Sequence, residues 1–310
     1  MRLLTFEHAG TQRLGTEFHD GVLDLNAGCS AMLEAEGDTA AQKLADALVP
    51  SNIIDFLTAG SRALREAQKV IDFVESTHAG NRGNLVFSKT EVRVLAPVPR
   101  PGKVVCVGRN YHDHVSEMKR EVPTIPVIFS KLSNTIVGNG DGVPFPRVSE
   151  QLDYEAELVA VIGKRGRYIP EADAMGHVAG YTAFNDITVR DWQHRANQWL
   201  QGKSFDGSGP TGPVLVTADE ISDPHNLDIR LWLNGELRQS DNTSRLIFNI
   251  PFLISFISQV MTLEPGDMIA SGTPGGVGVA MNPQGFMKVG DVVRVEIERI
   301  GMLENTIVEG

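Results

Sequence analysis

The stretch Leu152-Asp-Tyr-Glu-Ala-Glu-Leu-Val-Ala-Val-Ile-Gly163 predicts a buried strand that carries two glutamates among apolar residues. Successive side chains of a strand point to opposite faces, so Glu155 and Glu157 share one face, where Val159 and Val161 follow them. A buried carboxylate without a partner is costly or becomes protonated, and a bound cation relieves that cost. The pair therefore predicts two ligands of a divalent-metal site. The alternative is a salt-bridged strand edge that needs no metal.

A third acidic residue lies at the end of another apolar run. Asp186 falls in Gly180-Tyr-Thr-Ala-Phe-Asn-Asp-Ile-Thr188, where a strand would deliver its side chain to a cleft. With Glu155 and Glu157 it makes a set of three carboxylates, and such hard oxygen ligands favour Mg²⁺, Mn²⁺ or Ca²⁺ over zinc or copper. Three carboxylates leave about three of roughly six coordination positions open, as a catalytic metal requires.

A histidine and a glutamate lie three residues apart in Gly108-Arg-Asn-Tyr-His-Asp-His-Val-Ser-Glu-Met118. If this segment is helical, His114 and Glu117 share one face, and the carboxylate makes the imidazole a stronger general base. One alternative is an incidental pair on an exposed helix. Another is a metal pair of His112 and His114, although further ligands are missing nearby.

Two glycine-rich segments offer groups for an anion. In Gln201-Gly-Lys-Ser-Phe-Asp-Gly-Ser-Gly-Pro210, Lys203 could stabilise an oxyanion or enolate, or could be a solvated loop lysine. Asn197 stands where a phosphate loop requires glycine, so that motif is excluded. The second segment, Ser271-Gly-Thr-Pro-Gly-Gly-Val-Gly278, offers backbone N–H groups that suit a carboxylate or phosphate. It lacks the dinucleotide-binding pattern, and a plain glycine-rich turn is the alternative.

Composition and charge exclude several classes of protein. The chain has 310 residues and a net charge of −11, which argues against nucleic acid or an anionic membrane as a partner. No apolar run is long enough to span a membrane. The two cysteines, Cys29 and Cys106, form no CxxC pair and favour a reducing compartment. Because the N-terminus is too short and polar for a signal peptide, we expect a cytoplasmic location.

The pattern of residues changes near position 100. Residues 1–95 predict a small N-terminal α/β domain, the proline-rich segment 95–102 predicts a linker, and residues 100–310 predict a mostly β domain. The predicted strands are 3–6, 21–25, 104–107, 127–130, 158–162, 178–184, 214–217, 228–233, 268–271 and 292–297. The predicted helices are 40–48, 52–76 with a break near Gly60, 112–119 and 249–261. Asn234-Gly235 predicts a hairpin turn.

Together, the motifs at 108–117, 153–158, 184–193, 202–206 and 271–278 resemble those of the fumarylacetoacetate hydrolase family in order and spacing. The resemblance covers roughly residues 100–310. It implies an α+β, mostly β fold, which is a mixed β-sandwich roll after a small N-terminal α/β domain. It also implies a homodimer.

The resemblance assigns roles to individual residues. The metal ligands, for Mg²⁺ or Mn²⁺, would be Glu155, Glu157 and Asp186. The catalytic residues would be His114 and Glu117, which activate water, and Lys203, which stabilises an oxyanion. The substrate contacts would come from Arg109, Tyr111, Gln193 and Thr273. Residues 118–126 would close as a lid over bound substrate.

The implied reaction is hydrolysis of a C–C bond in a 2,4-dioxo acid, of the acylpyruvate or fumarylpyruvate type, through a metal-bound enolate. The same enolate chemistry serves decarboxylation of oxaloacetate, isomerisation of 2-hydroxyhepta-2,4-diene-1,7-dioate, or a reaction of a 3-deoxy-2-oxo sugar acid. A divalent-ion-binding β-sandwich module is the non-enzymatic alternative, and it would leave His114, Glu117 and Lys203 without a role. The residues that could meet a second substrate carboxylate, or could be surface charges, are Arg109, Arg190, His194 and Arg195.

Overall fold

The computed structural model describes residues 1–77 and 83–310. The N-terminal strands are β1 (Arg2–His8), β2 (Thr11–Phe18), β3 (Gly21–Asp24), β4 (Val86–Ser88) and β5 (Arg93–Val94). The N-terminal helices are α1 (Leu25–Ala35), α2 (Ala41–Leu48), α3 (Ile53–Ala59) and α4 (Ser61–Ser76). Gly60 separates α3 from α4 with a φ of 66°, so the predicted break is confirmed. β2 and α1 were not predicted, although Asp24 caps α1 by accepting from the N–H of Ala27.

In the remaining chain most residues of regular secondary structure lie in strands, which confirms the predicted fold class. Its strands are β6 (Val104–Gly108), β7 (Val127–Lys131), β8 (Ile136–Val137), β9 (Gly142–Pro144), β10 (Leu152–Asp153), β11 (Ala156–Ile162), β12 (Val178–Asn185), β13 (Thr188–Val189), β14 (Gly209–Thr217), β15 (Asp228–Leu233), β16 (Glu236–Asn242), β17 (Met268–Ala270), β18 (Val292–Ile297) and β19 (Gly301–Val308). Its helices are α5 (His112–Glu117), α6 (Arg190–Gln193), α7 (Leu200–Lys203) and α8 (Ile250–Val260). Among these described residues, no helix combines the length and apolar character that crossing a membrane would require.

The strands form one large mixed sheet and two smaller ones. The order in the large sheet is β4-β3-β2-β1-β14-β12-β11-β17-β6-β7, with β5 beside β1 and β8 beside β14. A five-stranded sheet has the order β16-β15-β18-β19-β9, and β10 pairs with β13. Because β1 pairs with β14, the N-terminal strands extend the sheet of the second predicted domain. Separate folding of residues 1–95 and 100–310 stays a prediction.

The strand β11 lies inside the large sheet, and an apolar cluster packs against each of its two faces. Val159 and Val161 pack in the cluster that the N-terminal helices cover, whereas Leu158 and Ala160 pack in the other cluster. The strand has a partner on each side, β12 and β17, so the alternative of a strand edge is wrong. Apolar packing on both faces fixes its register and therefore the side to which the carboxylates point.

The proline-rich segment 95–102 begins as a packed connection. Leu95 and Val98 are buried, and the N–H of Leu95 donates to the carbonyl of Thr5 at 2.9 Å. The hydroxyl of Thr5 donates to the carbonyl of Pro97 at 2.9 Å. The first residues of the predicted linker are therefore bonded to β1, and its role between two domains stays a prediction.

Candidate active site

Three carboxylates converge where β11 begins and β12 ends. The two strands are antiparallel, with Ala156 opposite Asn185, so the residues just outside this pair meet. The N–H of Asp186 donates to the carbonyl of Glu155 at 2.8 Å. One oxygen each from Glu155, Glu157 and Asp186 lies within 4.8 Å of the others, and all three residues are buried. This is the arrangement that a single divalent cation requires.

Three basic side chains surround the carboxylates. Lys203 Nζ donates to Glu155 Oε2 at 2.6 Å and to Asp186 Oδ2 at 2.7 Å. Arg190 Nη1 lies 2.8 Å from Glu155 Oε1, and Lys131 Nζ lies 2.9 Å from Asp186 Oδ1. Lys131 was missed in the sequence, where the only signal is a lysine at the end of the apolar strand β7. The structure brings Lys203 to the predicted metal ligands and holds it there by two charged hydrogen bonds.

The carboxylate of Glu157, unlike those of Glu155 and Asp186, is not paired with a basic side chain among the described residues. Within the described chain its carboxylate makes no ion pair, and Oε2 accepts a hydrogen bond from the N–H of Gly272 at 2.9 Å. Burial, followed by the charges of Asp186 and Glu155, raises the pKa of Glu157 well above its usual range. For Glu155, burial is outweighed by Lys203 and Arg190, which bring its pKa down to about 2. A hard dication beside Glu157 would remove this imbalance, so the residues fit Mg²⁺ or Mn²⁺.

Arg190 is a buried connector rather than a surface charge. Its side chain is 3% exposed, and Nε donates to Asp153 Oδ2 at 2.7 Å. The carboxylate of Asp153 also accepts from the N–H groups of Gly278 and Val279 at 2.8 and 3.0 Å. Asp153 was not predicted as a site residue, because its place in the same motif suggested only a strand position. Through Arg190 it links the glycine-rich segment to Glu155.

We expect Arg190→Met to lower the free energy of unfolding of the metal-free protein by about 3–5 kcal/mol, because the carboxylates of Asp153 and Glu155 would stay buried with fewer cationic partners. Urea unfolding monitored by circular dichroism measures this change. The matched control is Arg230→Met, which removes an exposed ion pair with Asp228 and should cost about 0–1 kcal/mol. Equal losses in the two variants would show that Arg190 does not balance buried charge.

The predicted histidine–glutamate pair forms in α5. His114 Nδ1 lies 2.8 Å from Glu117 Oε1, and Glu117 Oε2 accepts from the N–H of Gly276 at 2.8 Å. His114 is buried, so the alternative of an exposed, incidental pair is wrong. His112 is exposed on the same helix and joins no metal-binding group among the described residues. Because Nδ1 is engaged by Glu117, Nε2 of His114 is the nitrogen left for substrate.

One cavity contains most of the predicted site. Among the predicted residues it is lined by Arg109, His114, Glu155, Glu157, Gln193, Lys203 and Thr273. It is also lined by residues for which no substrate role was predicted, namely Val107, Gly108, Met118, Arg120, Phe129 and Trp199, and by Arg190 and His194. Tyr111 is fully buried and does not line this cavity. The structure therefore brings Glu155, Glu157, His114 and Lys203 to one space and leaves Tyr111 outside it. Asp186 and Glu117 do not line this cavity, but they contact Lys203 and His114, which do.

The second glycine-rich segment binds carboxylates of the protein itself. Its N–H groups donate to Glu157 from Gly272, to Glu117 from Gly276 and to Asp153 from Gly278. The prediction that these N–H groups suit a carboxylate is thus confirmed, and the carboxylates belong to the protein itself. Through these bonds one loop holds a predicted metal ligand, the glutamate of the His114–Glu117 pair and the partner of Arg190.

Comparison with known proteins identifies the family. The family model for the C-terminal part of fumarylacetoacetate (FAA) hydrolase matches residues 103–308. The chain belongs to the fumarylacetoacetate hydrolase family. It is therefore an enzyme, and the alternative of an ion-binding module without activity is wrong.

Relatives of this family member cover nearly its whole length. It is 42% identical to a mitochondrial oxaloacetate tautomerase of Xenopus laevis over 99% of this chain and 90% of that protein. It is 43% identical to an oxaloacetate tautomerase of Bacillus subtilis over 84% of this chain and 87% of that protein. Among solved structures, it resembles a maleylpyruvate hydrolase of a Sphingobium species, in complex with manganese(II) and pyruvate, with a TM-score of 0.75, 30% identity and full coverage of both chains.

Proposed function

We propose that this family member is a divalent-metal-dependent oxaloacetate tautomerase, which moves a proton between C3 and the C2 oxygen of oxaloacetate. Decarboxylation of the keto form, in which loss of CO₂ leaves the enolate of pyruvate, is the second candidate reaction. The relatives that support oxaloacetate are 42% and 43% identical, whereas the hydrolase relative is 30% identical. Hydrolysis of 2,4-dioxo acids, which the sequence motifs favour, therefore has weaker support than oxaloacetate chemistry.

The observation that carries this proposal is a cavity lined by Glu155, Glu157 and His114. Asp186 completes the carboxylate group, and Glu117 contacts the ring of His114. Glu155, Glu157 and Asp186 would hold Mg²⁺ or Mn²⁺. When bound, such an ion supplies Lewis-acid stabilisation of the negative charge that develops on a 2-oxo acid. The cavity thus combines groups for an enolate with a group that moves protons.

The residues of the chain account for the proton transfer. His114 Nε2 takes the proton from C3 or from the C2 oxygen of the substrate and returns it to the other of these atoms, while the carboxylate of Glu117 orients the ring. The N–H of Gly276 holds Glu117 in place. Lys203 carries positive charge to the metal ligands, since Asp186 and Glu155 outweigh burial and raise its pKa to about 12. No attacking water is required for this reaction.

Parallel assays on the Mn²⁺- and Mg²⁺-loaded protein test the proposal. Loss of the enol absorbance of oxaloacetate reports tautomerisation, and coupled detection of pyruvate reports decarboxylation. The same preparation is offered acetylpyruvate, fumarylpyruvate and 2-hydroxyhepta-2,4-diene-1,7-dioate, and kcat/KM values are compared. We expect the highest kcat/KM for loss of the enol of oxaloacetate and a lower kcat/KM for release of pyruvate. A higher kcat/KM for cleavage of either acylpyruvate would refute the proposal and restore hydrolysis.

The homodimer, the cytoplasmic location and the lid at residues 118–126 stay predictions that accompany this proposal. Sedimentation analysis of the full chain measures the first of them.

A further inference from the structure

Two arginines of the cavity have no acidic partner in the part of the chain that the structure describes. Four cationic side chains line the cavity, and Arg190 and Lys203 are committed to the buried carboxylates. For Arg109 and Arg120, no carboxylate within residues 1–77 and 83–310 comes as close as 4.0 Å to the guanidinium. In a chain with a net charge of −11, two uncommitted arginines on one cavity wall create a local positive field.

Arg109 is held on the wall by an aromatic platform. Its guanidinium carbon lies 5.5 Å from the centre of the Trp199 ring, within the range of a cation–π contact. The ring packs edge-on against Phe129, with 5.3 Å between centroids. A Cβ at position 108 would lie 2.5 Å from the Trp199 ring, so Gly108 leaves the room that this packing needs. The position of the Arg109 guanidinium is therefore built into the fold.

Arg120 brings a second cation from the segment that follows α5. Its N–H donates to the carbonyl of Val115 at 3.0 Å, which anchors the backbone, while the residue itself is exposed. Burial, then the charges of Arg190 and Arg120, lower the pKa of His194, another residue of the cavity lining. The charge of Arg120 thus reaches the same space from the predicted lid.

We propose that Arg109 and Arg120 form a subsite for the second carboxylate of a dicarboxylic 2-oxo acid. The inference rests on the proposed function, in which the 2-oxo acid end of the substrate faces Glu155, Glu157 and Asp186. Oxaloacetate carries its other carboxylate at the far end, and a guanidinium binds a carboxylate with two parallel hydrogen bonds. The subsite selects dicarboxylic over monocarboxylic 2-oxo acids and makes both arginines specificity-determining residues.

Calorimetry on the Mn²⁺-loaded full chain tests the subsite without turnover. The probes are oxamate, which has one carboxylate, and N-oxalylglycine, which has the same oxalyl end and a second carboxylate. We expect the parent protein to bind N-oxalylglycine more tightly. Arg109→Ala and Arg120→Ala should each weaken the binding of N-oxalylglycine by about 10- to 100-fold, because each removes a charged hydrogen bond to the second carboxylate. The affinity for oxamate should stay unchanged. Arg120→Lys should lose less affinity for N-oxalylglycine than Arg120→Ala, because lysine keeps the positive charge.

The matched control is Arg165→Ala, which removes an arginine that is exposed and paired with Glu264 outside the cavity and should change neither affinity. Unchanged binding of N-oxalylglycine in both arginine variants, or equal losses for the two probes, would overturn the subsite and leave the proposed function intact. A parent protein that binds Mn²⁺ but neither probe would overturn the proposed function, and the subsite with it.

Discussion

Replacing Glu157 by glutamine is expected to weaken Mn²⁺ binding by more than about 100-fold and to abolish metal-dependent turnover, because loss of even an outer partner of a metal ligand typically costs about 10- to 100-fold in affinity. The same change should leave the metal-free protein at least as stable at neutral pH. The buried carboxylate of Glu157 has no ion pair in the described chain, whereas a glutamine amide can donate towards Glu155 or Asp186. Mn²⁺ titration calorimetry and urea unfolding measure the two effects.

Loss of Mn²⁺ affinity without loss of stability would show that Glu157 binds the metal and does not stabilise the fold. A structural role for Glu157 would lower the free energy of unfolding in the absence of metal. Glu171→Gln, at an exposed position of the same residue type, is the control and should change neither quantity. Asp186→Ala should also abolish activity by loss of metal, but with a loss of stability, because Lys131 and Lys203 would both lose a buried partner.

Replacing His114 by alanine is expected to lower kcat by about 100- to 10,000-fold while Mn²⁺ affinity stays at the parent value, because the imidazole transfers the proton and is not a ligand. Steady-state loss of the enol absorbance and Mn²⁺ calorimetry on the same preparation measure both quantities. Glu117→Gln should lower kcat less, since a neutral amide can still contact Nδ1 of His114 and orient the ring, although this hydrogen bond is weaker than one to a carboxylate.

The control for His114→Ala is the same substitution at the other histidine of α5. His112 is exposed, so His112→Ala should retain parent kcat. Parent kcat in the His114→Ala protein would refute the assignment of the proton-transferring group, and lost Mn²⁺ affinity would make His114 part of the metal site instead.

The relative positions of residues within one strand, one helix or one turn could be predicted from the sequence, because they depend on local periodicity. Alternation along the predicted strand put Glu155 and Glu157 on one face, and helical spacing put His114 beside Glu117. In the structure Glu155 directly precedes β11, its carboxylate meets that of Glu157, and His114 contacts Glu117. Asn234-Gly235 forms its turn with φ of 52° and 82° because both residues tolerate positive φ. Such features are encoded within a few residues and need no knowledge of the rest of the fold.

What could not be predicted depends on contacts between distant parts of the chain. Lys131 lies 55 positions before Asp186, and their ion pair exists because β7 and β12 belong to the same sheet. Asp153 reaches Arg190 and Gly278 through the packing of three separate segments. Tyr111 was assigned to substrate by its place in a motif, although the fold buries it away from the cavity.

Anomalous diffraction from crystals grown with Mn²⁺ tests most directly whether the three buried carboxylates bind one hard dication. We expect a single strong peak about 2.0–2.6 Å from one oxygen each of Glu155, Glu157 and Asp186. A Mn²⁺ peak elsewhere, or full solvation of the ion with the three carboxylates still paired only to Lys131, Arg190 and Lys203, would contradict it.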